Sequence, residues 1–241
     1  MPPPSTPSAA KRPSAPVDSS WWDDPRSLQI LSSEYSSLNT SRSLVYNEAF
    51  TRIATFLTFM SMSFVALALV SQATGFGGPF LGIAAVVLSF DLVIGLMTFG
   101  RILGTTADDL RAVHGMTRIR HGFLQIRPQL RPYFTAGAHD DIPGVMRAYR
   151  TPGTGIGGVL YSLTTSTGMV AVIDALVAGM LAAVLAMLIG ANGPAAAVVG
   201  VVAAILVFGA VAVLAARFFM RDQASLEVLF PSPGPEDRID G

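Results

Sequence analysis

Four long apolar runs, at about Ile53 to Thr74, Phe80 to Gly100, Thr167 to Gly190 and Ala195 to Ala216, contain none of the 16 basic residues of this chain. Each is close to the roughly 20 residues that a helix needs to cross about 30 Å of hydrocarbon. Inside a bilayer every backbone N–H and C=O must be satisfied within its own segment, so four such runs predict four transmembrane helices. The two short connections, Gly75 to Pro79 and Ala191 to Pro194, carry no charge; every Lys and Arg lies N-terminal to the first run, in the long central segment or in the C-terminal tail. Positive charge is retained on the cytoplasmic side, which places those three segments, and both termini, in the cytoplasm. The expected fold is an all-α membrane protein with four transmembrane helices as two antiparallel hairpins and amphipathic helices beneath them.

At 241 residues, 51% hydrophobic and 13% charged, the chain is too apolar for a water-soluble domain and too short for a large transporter. A net charge of zero gives no reason to expect nucleic acid. The absence of cysteine removes disulfides, thiolate metal sites and thiol catalysis together. One Lys beside 15 Arg, with abundant Ala, Gly and Val, matches the codon bias of a GC-rich bacterium and suggests a bacterial plasma membrane. The Pro, Ser and Ala of Met1 to Val17 form an arm without the apolar stretch of a cleavable signal.

The organisation follows from these boundaries: a disordered arm over 1–24, a cytoplasmic amphipathic helix over 25–50, a first hairpin over 51–100, a cytoplasmic helical segment over 101–166, a second hairpin over 167–216 and a tail over 217–241. Asp24 before Pro25 is a helix start signal. Leu28, Leu31, Tyr35, Leu38 and Val45 then form a helical seam, with Arg42 filling its gap. Thr106 and Asp109 resemble a capping box that opens a new helix, whose apolar stripe runs through Ala112, Met116, Ile119, Phe123 and Ile126 and stops before Pro128. This helix is expected to pack on the N-terminal seam or lie on the membrane. Gly153 to Gly158 read as a flexible connector. Ala171, Ala175, Gly179 and Ala183 in the third run, and Ala196, Gly200 and Ala204 in the fourth, recur every four residues, the spacing that lets membrane helices approach closely.

Asp91 and Asp174 are the sharpest candidates for function. A charged side chain at mid-membrane costs about 2.5–3.5 kcal/mol on insertion scales, and no cation shares a run with either. With the second run descending to the cytoplasm and the third rising from it, the two carboxyls are expected at similar depth, facing each other on a permeation or gating path. Bonding to a backbone carbonyl or to Ser89 is the structural alternative. Arg111, His114, Arg118 and His121 recur at three, four and three, a cationic row suited to anionic lipid, a phosphorylated ligand or an acidic protein partner. His139, Asp140 and Asp141 are metal-compatible types, but Asp141 reads more simply as a helix cap, and no metal or other cofactor is expected. Gly153, Gly155 and Gly158 match a dinucleotide fingerprint formally, without the strand it requires. No Ser/His/acid constellation, nucleotide loop or zinc motif is present, so an enzyme is not expected.

The stretches Arg42-Ser-Leu-Val-Tyr-Asn-Glu-Ala-Phe50, Val65-Ala-Leu-Ala-Leu69, Asp109-Leu-Arg and Met116-Thr-Arg-Ile-Arg-His121 resemble a group of uncharacterised bacterial integral membrane proteins, mostly actinobacterial. The resemblance implies four membrane spans and carries no activity, ligand or active residue. The residues themselves favour a small oligomeric channel or transport-like assembly with the two aspartates on its path. A membrane scaffold that recruits a partner through its cytoplasmic helices is the alternative.

Overall fold

The structure, a computed structural model, describes residues 24–149 and 163–232. The arm and the Gly153 to Gly158 stretch lie outside the described residues. Helix α1 spans Pro25–Thr74, α2 Gly78–Ile126, α3 Ile142–Ala148, α4 Ser166–Leu188 and α5 Gly193–Ala224, with a short 3-10 helix at Pro128–Tyr133. No strand occurs among the described residues. Four of these helices, α1, α2, α4 and α5, are long and apolar enough to cross a membrane, as in a multi-pass membrane protein.

Local chemistry sets the ends. The Asp24 carboxylate accepts the Arg26 N–H at 2.9 Å with Pro25 in the first turn, and α1 stops at Gly75, whose φ of +66° suits a residue without Cβ. Asn192 caps α5 in the same way through the Ala195 N–H at 2.9 Å. Threonines inside α1 return their hydroxyls to the carbonyl four residues back, as Thr51, Thr55 and Thr58 do at 2.8–2.9 Å, which satisfies them without water.

Packing runs α1 on α2, α2 on α4 and α4 on α5. Phe56, Leu88, Ile102, Val170 and Val177 fill the shared interior. At the α4–α5 contact a Cβ on Gly179 would stand 2.7 Å from the Gly200 carbonyl oxygen, and one on Gly200 would stand 2.8 Å from that of Gly179. The small residues spaced by four therefore meet within the chain, backbone against backbone. Met62, Leu69, Phe90, Met97, Ile205 and Leu206 point outward, each more than 60% exposed. Such a surface would drive aggregation in water, whereas hydrocarbon matches it.

Two expectations need correction. α2 is unbroken from Gly78 to Ile126, so neither residue 101 nor Thr106 starts a new element. The Thr106 hydroxyl bonds back to the Ile102 carbonyl at 3.0 Å, and Asp109 points away to partners on other helices. The apolar stripe from Ala112 simply continues the spanning helix as a stalk. Along that stalk lies the seam of α1: Leu31, Tyr35, Leu38, Arg42 and Val45 are half-buried, and Tyr35 accepts from Arg120 at 2.9 Å.

Candidate functional site: a buried carboxyl pair and two junctions beneath it

Asp91 and Gly95 lie one turn apart on α2 and share a face, as do Phe56 and Ser63 two turns apart on α1. Where these faces meet α4, Asp91 and Asp174 are both fully buried. The Ser63 hydroxyl donates to Asp91 Oδ1 at 2.9 Å, and the other oxygen of Asp91 and both oxygens of Asp174 have no hydrogen-bond partner among the described residues. The donor is thus Ser63 and not Ser89, whose hydroxyl bonds to the Ala85 carbonyl at 2.7 Å.

Asp174 reaches this layer because Gly95 has no side chain. A Cβ on Gly95 would run into the Asp174 carboxyl and stand 3.0 Å from Phe56 Cζ. Gly95 is therefore a notch, with Asp174 seated in it from α4 and Phe56 closing it from α1. Asp174 thus enters beside a position one helical turn from Asp91 along α2, roughly 6 Å of rise. Buried oxygens without donors are rare in proteins and call for a ligand or a role.

Below the pair, a first junction ties α1 and α3 to the stalk. Asp109 is buried and accepts from Arg42 Nε at 2.6 Å, from the Tyr149 hydroxyl at 2.7 Å and from the Tyr46 hydroxyl at 3.3 Å. Burial, together with the Asp109 carboxylate, pushes the Tyr149 phenol far up, so it stays a donor.

The second junction holds the chain that follows α5. Asp140 is fully buried and accepts from the Phe230 N–H at 2.7 Å, the Leu229 N–H at 2.9 Å and Arg118 Nε at 2.8 Å, while its own N–H donates to the Phe230 carbonyl at 3.1 Å. Asp141 caps α3 through the Gly144 N–H at 3.0 Å and also accepts from the Ser232 N–H at 2.9 Å and hydroxyl at 2.8 Å. Arg118 donates to the Glu227 carbonyl, Arg111 pairs with Asp222 at the end of α5, and the His121 ring stacks on Phe230 at 4.1 Å. Each member of the Arg111, His114, Arg118 and His121 row thus faces a group of this chain: Arg111 pairs with Asp222 and Asp108, Arg118 with Asp140, and His114 Nε2 lies 3.7 Å from Asp140. The metal-type pair Asp140 and Asp141 is likewise taken up by peptide N–H groups.

This clasp has a pH sign. Burial lowers His114, with the Arg118 charge adding and Asp140 opposing. Burial also lowers His121, with His139 adding and the Ala138 carbonyl and Asp140 opposing. Folded histidines below their unfolded value contribute stability that is complete above about pH 6.5 and is lost as pH falls below it. For Asp140, burial works upward, but the Leu229 N–H, Arg118 and the Phe230 N–H outweigh it and hold the carboxyl low. That contribution is present above about pH 3.9 and is lost only at lower pH. Amide exchange at Leu229 and Phe230, corrected for intrinsic rate, is expected to rise severalfold from pH 7.5 to 5.5. The rise should flatten in His114→Gln, His121→Gln; equal protection at both pH values in the wild type would refute it.

Ser63, Gly95 and Phe56 were missed in the sequence because a Ser, a Gly and a Phe in apolar runs are ordinary membrane residues. The spacing Asp91 to Gly95 was the available signal. Arg42 and Asp109 were visible only as a seam filler and a cap. Comparison with known proteins finds no family model that matches the chain, and no similar curated protein or solved structure.

Proposed function

We propose that this chain is a non-enzymatic bacterial plasma-membrane protein of two antiparallel hairpins with cytoplasmic termini, which assembles as a homo-oligomer into a small proton-linked channel or transport-like unit. The observation that carries this reading is the pair of fully buried aspartates with three oxygens lacking donors. A structural lock would satisfy its oxygens internally, as Asp109 and Asp140 do; Asp174 does not. Intramembrane acids in this state commonly mark proton relays. The interior of the four helices is filled by Phe56, Leu88, Ile102 and Val177, so a conduit needs neighbouring copies.

The scaffold reading draws on the Ser63 to Asp91 bond, which ties α1 to α2 as a packing contact would. Flux separates the two. Proton and monovalent-ion flux into liposomes across pH 5 to 8 is expected for the wild type and is lost, or shifted in pH, in Asp91→Asn, Asp174→Asn. No flux above empty liposomes, with the variant equally folded, favours the scaffold.

A further inference from the structure

A cleft of about 660 Å³ lies between α1 and α2, lined by Glu48, Thr51, Arg52, Thr55, Phe59 and Thr98 among others. Its volume is in the range of roughly 300–1,000 Å³ typical of small-molecule sites. One end is charged. Glu48 Oε1 accepts from Arg52 Nε at 3.0 Å and, from outside the lining, from Arg101 Nε at 2.9 Å. Hydrogen bonds from Arg101, then from Arg52, hold the Glu48 carboxyl below its ordinary range, so the trio carries one net positive charge, with both guanidinium groups half exposed.

Away from that end the cleft offers almost no donors. The Thr51, Thr55 and Thr98 hydroxyls return to Asn47, Thr51 and Ile94 carbonyls at 2.8–2.9 Å, and Phe56, Phe59 and Ile94 complete the wall. Arg52 immediately precedes the first apolar run and Arg101 immediately follows the second, so the charged end lies at the edge of the hydrocarbon and the apolar end inside it.

We propose that this cleft is a binding site for an anionic phospholipid of the surrounding leaflet, with its phosphate on Arg52 and Arg101 and an acyl chain along Phe59 and Ile94. The net charge matches one phosphate monoanion, and the wall chemistry changes from ionic to apolar along the direction in which a lipid does. Arginine presents a planar fork of N–H groups suited to phosphate.

The absence of cysteine makes the test direct. Thr98→Cys carries a fluorophore into the cleft, Val202→Cys carries it to the exposed face of α5, and both are titrated in nanodiscs with tail-brominated phosphatidylglycerol or phosphatidylcholine. Quenching at Thr98→Cys is expected at an about thirtyfold lower fraction of phosphatidylglycerol than of phosphatidylcholine, at about 1 kcal/mol for each of the two arginines and tenfold per 1.4 kcal/mol. Arg52→Gln, Arg101→Gln removes that preference, Arg52→Lys, Arg101→Lys retains part of it, and Val202→Cys shows none. Equal quenching by both lipids, or the same loss from the remote Arg217→Gln, Arg221→Gln, would overturn the site. Displacement by micromolar glycerol 3-phosphate would identify a soluble phosphate ligand instead and would also overturn it.

Discussion

Gly95→Ala should destabilise the protein by about 1–3 kcal/mol, the usual range for forcing a methyl into a filled site. Helix propensity alone predicts the opposite sign, since Ala exceeds Gly by about 1 kcal/mol in a helix interior. The penalty arises because the new Cβ would overlap the Asp174 carboxyl and crowd the Phe56 ring, and neither can retreat from a layer shared by three helices. Truncating the obstacle should reverse it. Thermal unfolding in one detergent, followed for Gly95→Ala, Asp174→Ala and the double variant, should show the double variant recovering most of the loss. A neutral Gly95→Ala, or a double variant as weak as the sum of the singles, would mean that Asp174 does not occupy the notch. The same variants bear on function: if a mobile proton visits Asp174, flux should fall in Gly95→Ala even where the fold survives.

Asp109→Ala is expected to cost about 3–5 kcal/mol, because it leaves a largely buried cation without its counter-charge. Arg42 is only 24% exposed at its side chain and Asp109 8%, so solvent cannot replace the lost carboxylate. Tyr149→Phe removes one hydrogen bond to a charged acceptor and should cost less, about 1.5–3 kcal/mol. Arg42→Ala added to Asp109→Ala should restore part of the stability, since the stranded charge leaves with it. Unfolding midpoints for the three variants decide the matter. An Asp109→Ala protein that melts with the wild type would show that α1, the stalk of α2 and α3 are held by packing alone.

Much of the architecture was legible because hydrocarbon leaves few choices. A run of about 20 apolar residues has one backbone solution, so all four spanning helices, the Asp24 and Asp141 caps, and the stop before Pro128 could be read from local pattern. Small residues spaced by four announced a close helix contact for the same reason. Local pattern failed where the deciding partner was distant in sequence. A Thr and an Asp three residues apart look alike at a helix start and in mid-helix, and only a carboxylate facing Arg42, 67 residues away, distinguishes the two.

The candidate residues divide along the same line. That Asp91 and Asp174 are costly and without a cation follows from the sequence, since any such group in an apolar run carries that cost wherever its helix packs. That Ser63 serves one and a missing Cβ admits the other was decided by how α1, α2 and α4 pack. Likewise the sequence alone shows four cations along one face of a helix, but not what they face. Tertiary structure turned the row onto Asp140, Asp222 and the segment from Glu227 to Phe230, and set Arg52 and Arg101 together on Glu48. The physical reason is range: burial and backbone satisfaction act on every residue through its own segment, whereas an ion pair or a notch exists only once two distant segments have been placed side by side.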